Sequence, residues 1–127
     1  MRFPNDLKYT KEHEWAKIEG ETVTIGITDH AQKALGDIVY VELPTVGRVL
    51  KQGETFGVVE SIKAVSDLYA PVAGKILAVN AHLVEDPSLV NQDPHGRAWM
   101  LKIEMTDSHS TDLLIDSESY SNYVEKI

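Results

Sequence analysis

The sequence predicts a mainly β chain: a small flattened barrel/sandwich hybrid of short strands, with a short internal helix and a C-terminal helix. Three observations predict it. Apolar residues alternate with period two over much of the chain. Gly20, Gly36, Gly47, Gly53, Gly57 and Gly74, with Pro44 and Pro71, cut that alternation into short runs. In the last residues the pattern changes, and Tyr120, Tyr123, Val124 and Ile127 recur at helical spacing.

In chain order, Val23, Ile25 and Ile27 share one face of a strand, and residues 15–19 before it form its hairpin partner across Gly20. Residues 28–36 change character. Asp29 can cap a helix, Gln32 sits three residues on, and Gly36 suits the far end, so a short helix is predicted there. Residues 37–43 return to strand, and the nearly continuous apolar run Ile38-Val39-Tyr40-Val41 predicts cover on both faces until Pro44 ends it. Further short strands follow at 48–51, 54–61, 66–70 and 75–79. Residues 80–94 are polar, hold two prolines and read as a loop with one helical turn at 81–84. Residues 98–105 form a last strand, and a helix of about 116–127 starts at Asp116 or Ser117 and lies on the barrel. Residues 46–54 and 72–80 form a weak pseudo-repeat, each with a glycine before a short apolar run, on either side of 60–67.

At 127 residues the chain has the length of one domain, read as 1–127, able to bury a core without staples. Hydrophobic residues are 43% and charged residues 25%, globular values that argue against disorder. Twenty acidic against 12 basic residues leave −8, a balance that argues against nucleic acid and anionic membranes as partners. There is no cysteine, which excludes disulfides, thiolate zinc sites and cysteine nucleophiles. Any sulfur redox chemistry therefore needs an added group. No run approaches membrane-span length and residues 1–7 lack a signal-peptide pattern, so a cytoplasmic protein is expected.

The five histidines, His13, His30, His82, His95 and His109, never stand three or four apart, so helical metal-ligand spacing is absent and no metal site is expected. His13 reads as structural, packing by Trp15, and His30 as a surface residue. Trp15 and Trp99 read as core or rim aromatics. No serine has a Gly-x-Ser-x-Gly setting, so a serine hydrolase is not expected.

The informative segment is 57–74, Gly-Val-Val-Glu-Ser-Ile-Lys-Ala-Val-Ser-Asp-Leu-Tyr-Ala-Pro-Val-Ala-Gly. Its middle is a turn between two apolar strands. Lys63 in that turn projects into solvent on a flexible stem, as an acylating enzyme requires. Most loop lysines are no more than solvated charges. The segment, however, resembles the lipoyl-lysine hairpin of glycine cleavage H proteins. That family shows a Glu three residues before its lysine, small neighbours, then Ser-Asp and Ala-Pro before Gly. Glu60, Ser61, Ala64, Ser66, Asp67, Ala70, Pro71 and Gly74 fall in that register. His13-Glu14-Trp15, residues 25–32 with Leu35-Gly36, Val41 to Pro44, Leu89-Val90-Asn91 and Trp99-Met100 resemble the same family in the same order, over roughly residues 7 to 104. Biotin-carrier domains usually flank their lysine with methionines, where this chain has Ile62 and Ala64. Lipoyl domains of 2-oxo acid dehydrogenases share the Glu-x-x-Lys-Ala core but lack the His-Glu-Trp start and both helices.

The resemblance implies a carrier without catalytic residues of its own. Lipoate would be amide-linked to Lys63, with Glu60, Ala64, Ser66 and Asp67 as its hairpin context. The arm would take an aminomethyl group at glycine decarboxylase, pass it on at a folate-dependent aminomethyltransferase, and be reoxidised by dihydrolipoamide dehydrogenase. A lipoate ligase or a lipoyl/octanoyl transferase would attach it, and a monomer suits the shuttle. The resemblance further sets Glu14 and Asp67 near the amine-bearing end of the docked arm, as acceptors for a cation. The plainer readings are a surface carboxylate at the start of a strand for Glu14 and a turn residue bonding its own backbone for Asp67. Ala34 stands where some relatives carry a histidine near the arm, which leaves the arm cleft one group short. Three other roles compete: a lipoyl donor to 2-oxo acid dehydrogenases, a biotinyl-type carrier, and an unmodified interaction module. A Schiff-base lysine is disfavoured, because Glu60 and Asp67 favour a charged ammonium.

Overall fold

A computed structural model describes residues 2–127. Nine strands fold into two antiparallel sheets that share one core. They are β1 (Lys8–Tyr9), β2 (Glu14–Glu19), β3 (Thr22–Ile27), β4 (Ile38–Glu42), β5 (Val49–Leu50), β6 (Thr55–Ser61), β7 (Val65–Tyr69), β8 (Gly74–Val79) and β9 (Leu101–Met105). The larger sheet runs β1-β2-β3-β9-β8-β5 and the smaller β4-β6-β7. Four helices join them: α1 (Asp29–Leu35), α2 (His82–Glu85), α3 (Leu89–Gln92) and α4 (Ser117–Lys126).

Alternation decides which face β8 and β9 bury, whereas β3 is buried throughout from Val23 to Ile27. Val23 and Ile25 of β3, Ile103 of β9 and Ile76 of β8 enter the core from the large sheet; Val41, Val59 and Leu68 meet them from the small one. A second cluster, Phe3, Leu7, Tyr9, Trp15 and Tyr120, seals the seam where α4 lies on β1. Gly57 lets the small sheet close tightly, because a Cβ there would collide with the Glu42 carbonyl.

The mainly β architecture with its internal and terminal helices is the predicted one. Several local expectations are corrected. Thr28, not Asp29, caps α1: its hydroxyl accepts from the Ala31 N–H, while Asp29 accepts from the Gln32 side-chain amide at 2.7 Å. β4 is covered on one face only. Val39 and Tyr40 are 55% and 45% exposed, because a bulge between Ile38 and Tyr40 turns both outward. The predicted loop at 80–94 holds two helical turns, α2 and α3, and buries Leu83, Leu89 and Val90. A 3₁₀ turn at Ser108–Leu113 precedes α4, pinned by buried Ser110, whose hydroxyl accepts from the Ala73 N–H at 3.2 Å. On α4, Tyr120 is buried but Ile127 is 62% exposed, so the apolar stripe stops short of the last residue. The two pseudo-repeat segments lie in the same sheet and pair with each other, Val49 with Lys75 and Leu50 with Gly74.

Candidate functional site

β6 and β7 form the expected hairpin, in the register Glu60 with Val65, Val59 with Ser66 and Val58 with Asp67. Its tip is fixed by short-range bonds. The Ser61 N–H donates to the Ala64 carbonyl at 2.8 Å, and the Ser61 hydroxyl accepts from the N–H groups of Lys63 and Ala64 at 3.2 and 3.0 Å. The Ile62 N–H donates to the Asp37 carbonyl at 3.3 Å, tying the tip to the α1–β4 connection.

Lys63 is exposed, and its stem lies over Gly36. A Cβ on Gly36 would stand 3.4 Å from the lysine Cε, and Gly36 has φ +82°, a conformation suited to glycine. That floor is held from below by Asn91 of α3. Its amide donates to the Gly36 carbonyl and to the Gln32 side chain, both at 2.9 Å, and its oxygen accepts from the Ile38 N–H at 2.9 Å. Ala34 is exposed on the last turn of α1, two residues before this floor.

The other predicted hairpin residues distribute as pleating requires. Glu60 is half-buried on the outer face of the small sheet, between Tyr40 and Val65. Ala64 is exposed and Ser66 partly so. Asp67 is exposed in mid-strand, so the turn reading is overturned. Among the described residues the only ion pairs are Arg48–Glu54 and the weak His109–Asp112, so Asp67 has no ionic partner.

Glu14 lies elsewhere, against the base of the hairpin. It is 2% exposed, which overturns the surface reading. Thr10 donates its hydroxyl to Oε1 at 2.7 Å, and the Tyr69 N–H, at the far end of β7, reaches Oε2 at 3.4 Å. Burial pushes the carboxyl up to about 7; those two donors pull it back, and Glu12 adds to the rise. Glu14 lines a cavity of about 350 Å³ with Thr10, Glu12, Gln52, Tyr69 and Leu113. From Ala64 to Tyr69 the strand runs about 16 Å at ~3.3 Å per residue. A lysine stem with an octanoyl-length chain has a comparable span. A larger cavity of about 540 Å³, between Leu89, Arg97 and Trp99, holds none of the predicted site residues.

Two groups near this site were not legible as such. His13 packs against Tyr120 and His30, not Trp15: its Nδ1 is 2.7 Å from the Tyr120 hydroxyl, and the two imidazole centroids are 4.5 Å apart. Asn91 had a motif neighbourhood in the sequence but no readable partner. Among the described residues no three metal-ligating side chains cluster, and no helix is long and apolar enough to cross a membrane.

Comparison with known proteins gives the following. The family model described as glycine cleavage H-protein matches residues 7–127. The chain is similar to the glycine cleavage system H protein of Carboxydothermus hydrogenoformans, 54% identical over 123 residues that cover 97% of this chain and 95% of that one. To the H protein of Thermus thermophilus it is 55% identical over 125 residues, 98% of each. A crystal structure of the H protein from Mycobacterium marinum superposes with a TM-score of 0.86 at 40% identity, over 94% of this chain and 97% of that one.

Proposed function

The chain belongs to the glycine cleavage H-protein family, and from that premise we propose that it carries a lipoyl group in amide linkage on Lys63, docking the arm along β7 toward Glu14. It is a carrier subunit of the glycine cleavage system and not a catalyst. Lys63 would hold the lipoyl group, which would supply the dithiol chemistry that this cysteine-free chain lacks; the chain would present it in turn to glycine decarboxylase, the folate-dependent aminomethyltransferase and dihydrolipoamide dehydrogenase, as carrier of an aminomethyl group and of electrons. The setting is the cytoplasm, and the modifying enzyme is a lipoate ligase or a lipoyl/octanoyl transferase.

One observation carries the reading. Lys63 stands exposed at a tip fixed by Ser61 and by Asp37, and the strand leaving that tip ends on a buried carboxyl in a cavity. The fixed tip presents the lysine in one place to several enzymes, while the arm supplies the reach. Gly36 leaves room for the stem. Glu60, Ala64 and Ser66 form the small, partly acidic context that the modifying enzyme reads.

At the far end, Thr10 and the Tyr69 N–H orient the Glu14 carboxyl. Burial keeps that carboxyl poised near neutrality, so a cation arriving beside it drives its ionisation and gains a charge-assisted hydrogen bond. The Glu14 carboxyl itself is shielded from solvent, so a group bonded to it is partly sheltered. Asp67, exposed and without an ionic partner, is a second acceptor along the strand.

The test is intact mass of the protein made in cells supplied with lipoate and a working ligase, beside Lys63→Arg. A gain of one lipoyl group that disappears in the variant is expected. No gain, or a gain equal to biotin, would sink the proposal.

A further inference from the structure

His13 is the only non-glycine residue with positive φ among the described residues, at +74°. A histidine there is strained, and such strain persists only where its surroundings over-determine it. The surroundings do so from three elements. The His13 N–H donates to the Thr10 carbonyl at 3.1 Å and its carbonyl accepts from the Thr28 N–H at 3.0 Å. Its ring nitrogen Nδ1 is bonded to the Tyr120 hydroxyl at 2.7 Å. That hydroxyl also bonds the Thr28 Oγ1 at 2.8 Å, the residue that caps α1. The turn's own backbone bonds do not require a histidine; asparagine or glycine would meet them with less strain. What only the histidine supplies is the bond to Tyr120.

Tyr120 is itself rooted. It is fully buried, stacks on Tyr9 at 4.7 Å and meets the Phe3 ring edge-on at 4.7 Å. α4 is capped by Asp116, and Ile115 just before it pairs with Tyr9 through both backbone bonds, at 2.8 and 2.9 Å. The hydroxyl thus joins the β1–β2 turn, the start of α1 and the terminal helix at one point.

The residue after His13 is Glu14. Its backbone N–H bonds Thr10 Oγ1 at 3.1 Å and its carbonyl accepts from the Thr10 N–H at 3.0 Å. A rotation of the His13 backbone to negative φ would swing Glu14 off both Thr10 and Tyr69. We propose that α4 is a positioning element for Glu14: Tyr120 clamps His13 in the left-handed conformation and so aims the Glu14 carboxyl into the cavity of about 350 Å³. This rests on the reading of Glu14 as the acceptor at the far end of the docked arm and adds the residues that hold it there.

The readout is the titration of Glu14 in the unmodified, full-length protein, followed by NMR on carboxyl-labelled glutamate. Glu14 faces Glu12, the Thr10 hydroxyl and the Tyr69 N–H, with Lys11 on the rim of the same cavity and the Tyr120 phenol, neutral throughout the Glu14 titration, behind it. The clamp faces His30, Tyr123 and, over the Tyr123 ring, Lys11 at 5.6 Å. Burial pushes Glu14 up to about 7 in the parent. Tyr120→Phe keeps the ring and loses only the hydroxyl; the freed carboxyl turns toward solvent, and because burial acts on it more strongly than the Thr10 and Tyr69 donors do, Glu14 is expected to titrate lower, with about a tenfold loss of proton affinity. Leu83→Val loosens the main core, away from the aromatic cluster that holds Tyr120, and is expected to leave Glu14 unchanged. His13→Asn tolerates the left-handed turn and is expected to shift Glu14 less than His13→Val. Should Tyr120→Phe fail to fold, His13→Val, which loses the clamp and disfavours the left-handed turn, is expected to give the same fall, and His13→Gly, which keeps the turn, a smaller one. A Glu14 titration unmoved by folded Tyr120→Phe, or moved equally by Leu83→Val, overturns the proposal. A second measurement separates this from the arm reading. In lipoylated protein charged with the aminomethyl group, Glu14→Gln and Tyr120→Phe are both expected to speed ammonia release several-fold. If Glu14→Gln leaves that rate alone, the arm reading of Glu14 fails, while the titration still judges the clamp.

Discussion

The hairpin tip around Lys63 and the turn around Glu14 are opposite solutions to holding a side chain. At the tip, Ile62 and Val65 are 75% and 68% exposed, and order comes from one serine hydroxyl and a few backbone bonds. At the turn, Glu14 is 2% exposed and order comes from a strained histidine, a buried tyrosine and a terminal helix. On the proposed function, a tip offered to several enzymes gains from being small and uncovered, and a carboxyl proposed to accept a cation gains from burial; burial of a polar group in turn demands bonded partners. No described buried side-chain N or O atom is left without one.

The largest way to break this comparison is at the turn. Tyr120→Ala removes a fully buried aromatic ring and opens the seam between α4 and β1. By the range for such truncations it should cost about 3–5 kcal/mol. Ile62→Ala, at the exposed tip, should cost under about 0.5 kcal/mol. Urea unfolding of the two variants checks both, and a tip as costly as the turn would contradict the contrast.

The next effect is hidden by cancellation. Glu14 in the fold titrates at about 7 against an ordinary 4.5. Between those values the folded state holds a proton that the unfolded chain has released, so Glu14's contribution rises as pH falls. His13 is pushed down to about 4 from 6.5, first by burial and then by His30. Between 6.5 and 4 the unfolded chain binds the proton instead, so His13's contribution falls as pH falls. The two neighbours therefore oppose each other over roughly pH 4.5 to 6.5. Glu14→Gln should leave the histidine term bare, and its stability should drop on acidification from 6.5 to 4. His13→Asn should remove the opposing contribution of His13, and its stability relative to the parent should rise from pH 7 toward 4.5, by less than about 3 kcal/mol because the variant also loosens the hold on Glu14; His95, likewise held low by burial, acts equally in both. Thermal unfolding across that window reads the signs; parallel profiles for the two variants would refute the assignment.

The same contrast explains what the sequence revealed. The strands were legible because alternation is local, and the tip because a motif of contiguous residues defines it. Lys63, Glu60, Ala64, Ser66 and Asp67 lie within one hairpin, so their arrangement follows from register alone. The turn at Glu14 was not legible beyond a family likeness. Its partners Tyr69 and Tyr120 are far along the chain, and a tyrosine at helical spacing announces a buried face, not a hydroxyl aimed at a histidine. β4 misled for a related reason: four apolar residues in a row imply two covered faces, and only the bulge reveals that Val39 and Tyr40 face out. The helical turn predicted at 81–84 is α2, but the second turn, α3, was missed because its apolar residues are too few to show a period, although Asn91 there supports the floor beneath Lys63.

The smallest effect sharpens the tip. Ser61→Ala removes the single side-chain acceptor for the N–H groups of Lys63 and Ala64 and leaves the Ser61 N–H to Ala64 carbonyl bond intact. Both freed N–H groups belong to exposed residues, so water replaces the lost partner and the global cost should be about 1 kcal/mol or less. The local consequence is larger than the global one. Hydrogen exchange at Lys63 and Ala64 should accelerate several-fold, while Val59 and Leu68, whose side chains are buried in the core, keep the parent rate. Equal acceleration at all four would mean that the tip is held by the body of the hairpin. An effect confined to the tip would mean that a single hydroxyl sets how sharply Lys63 is presented.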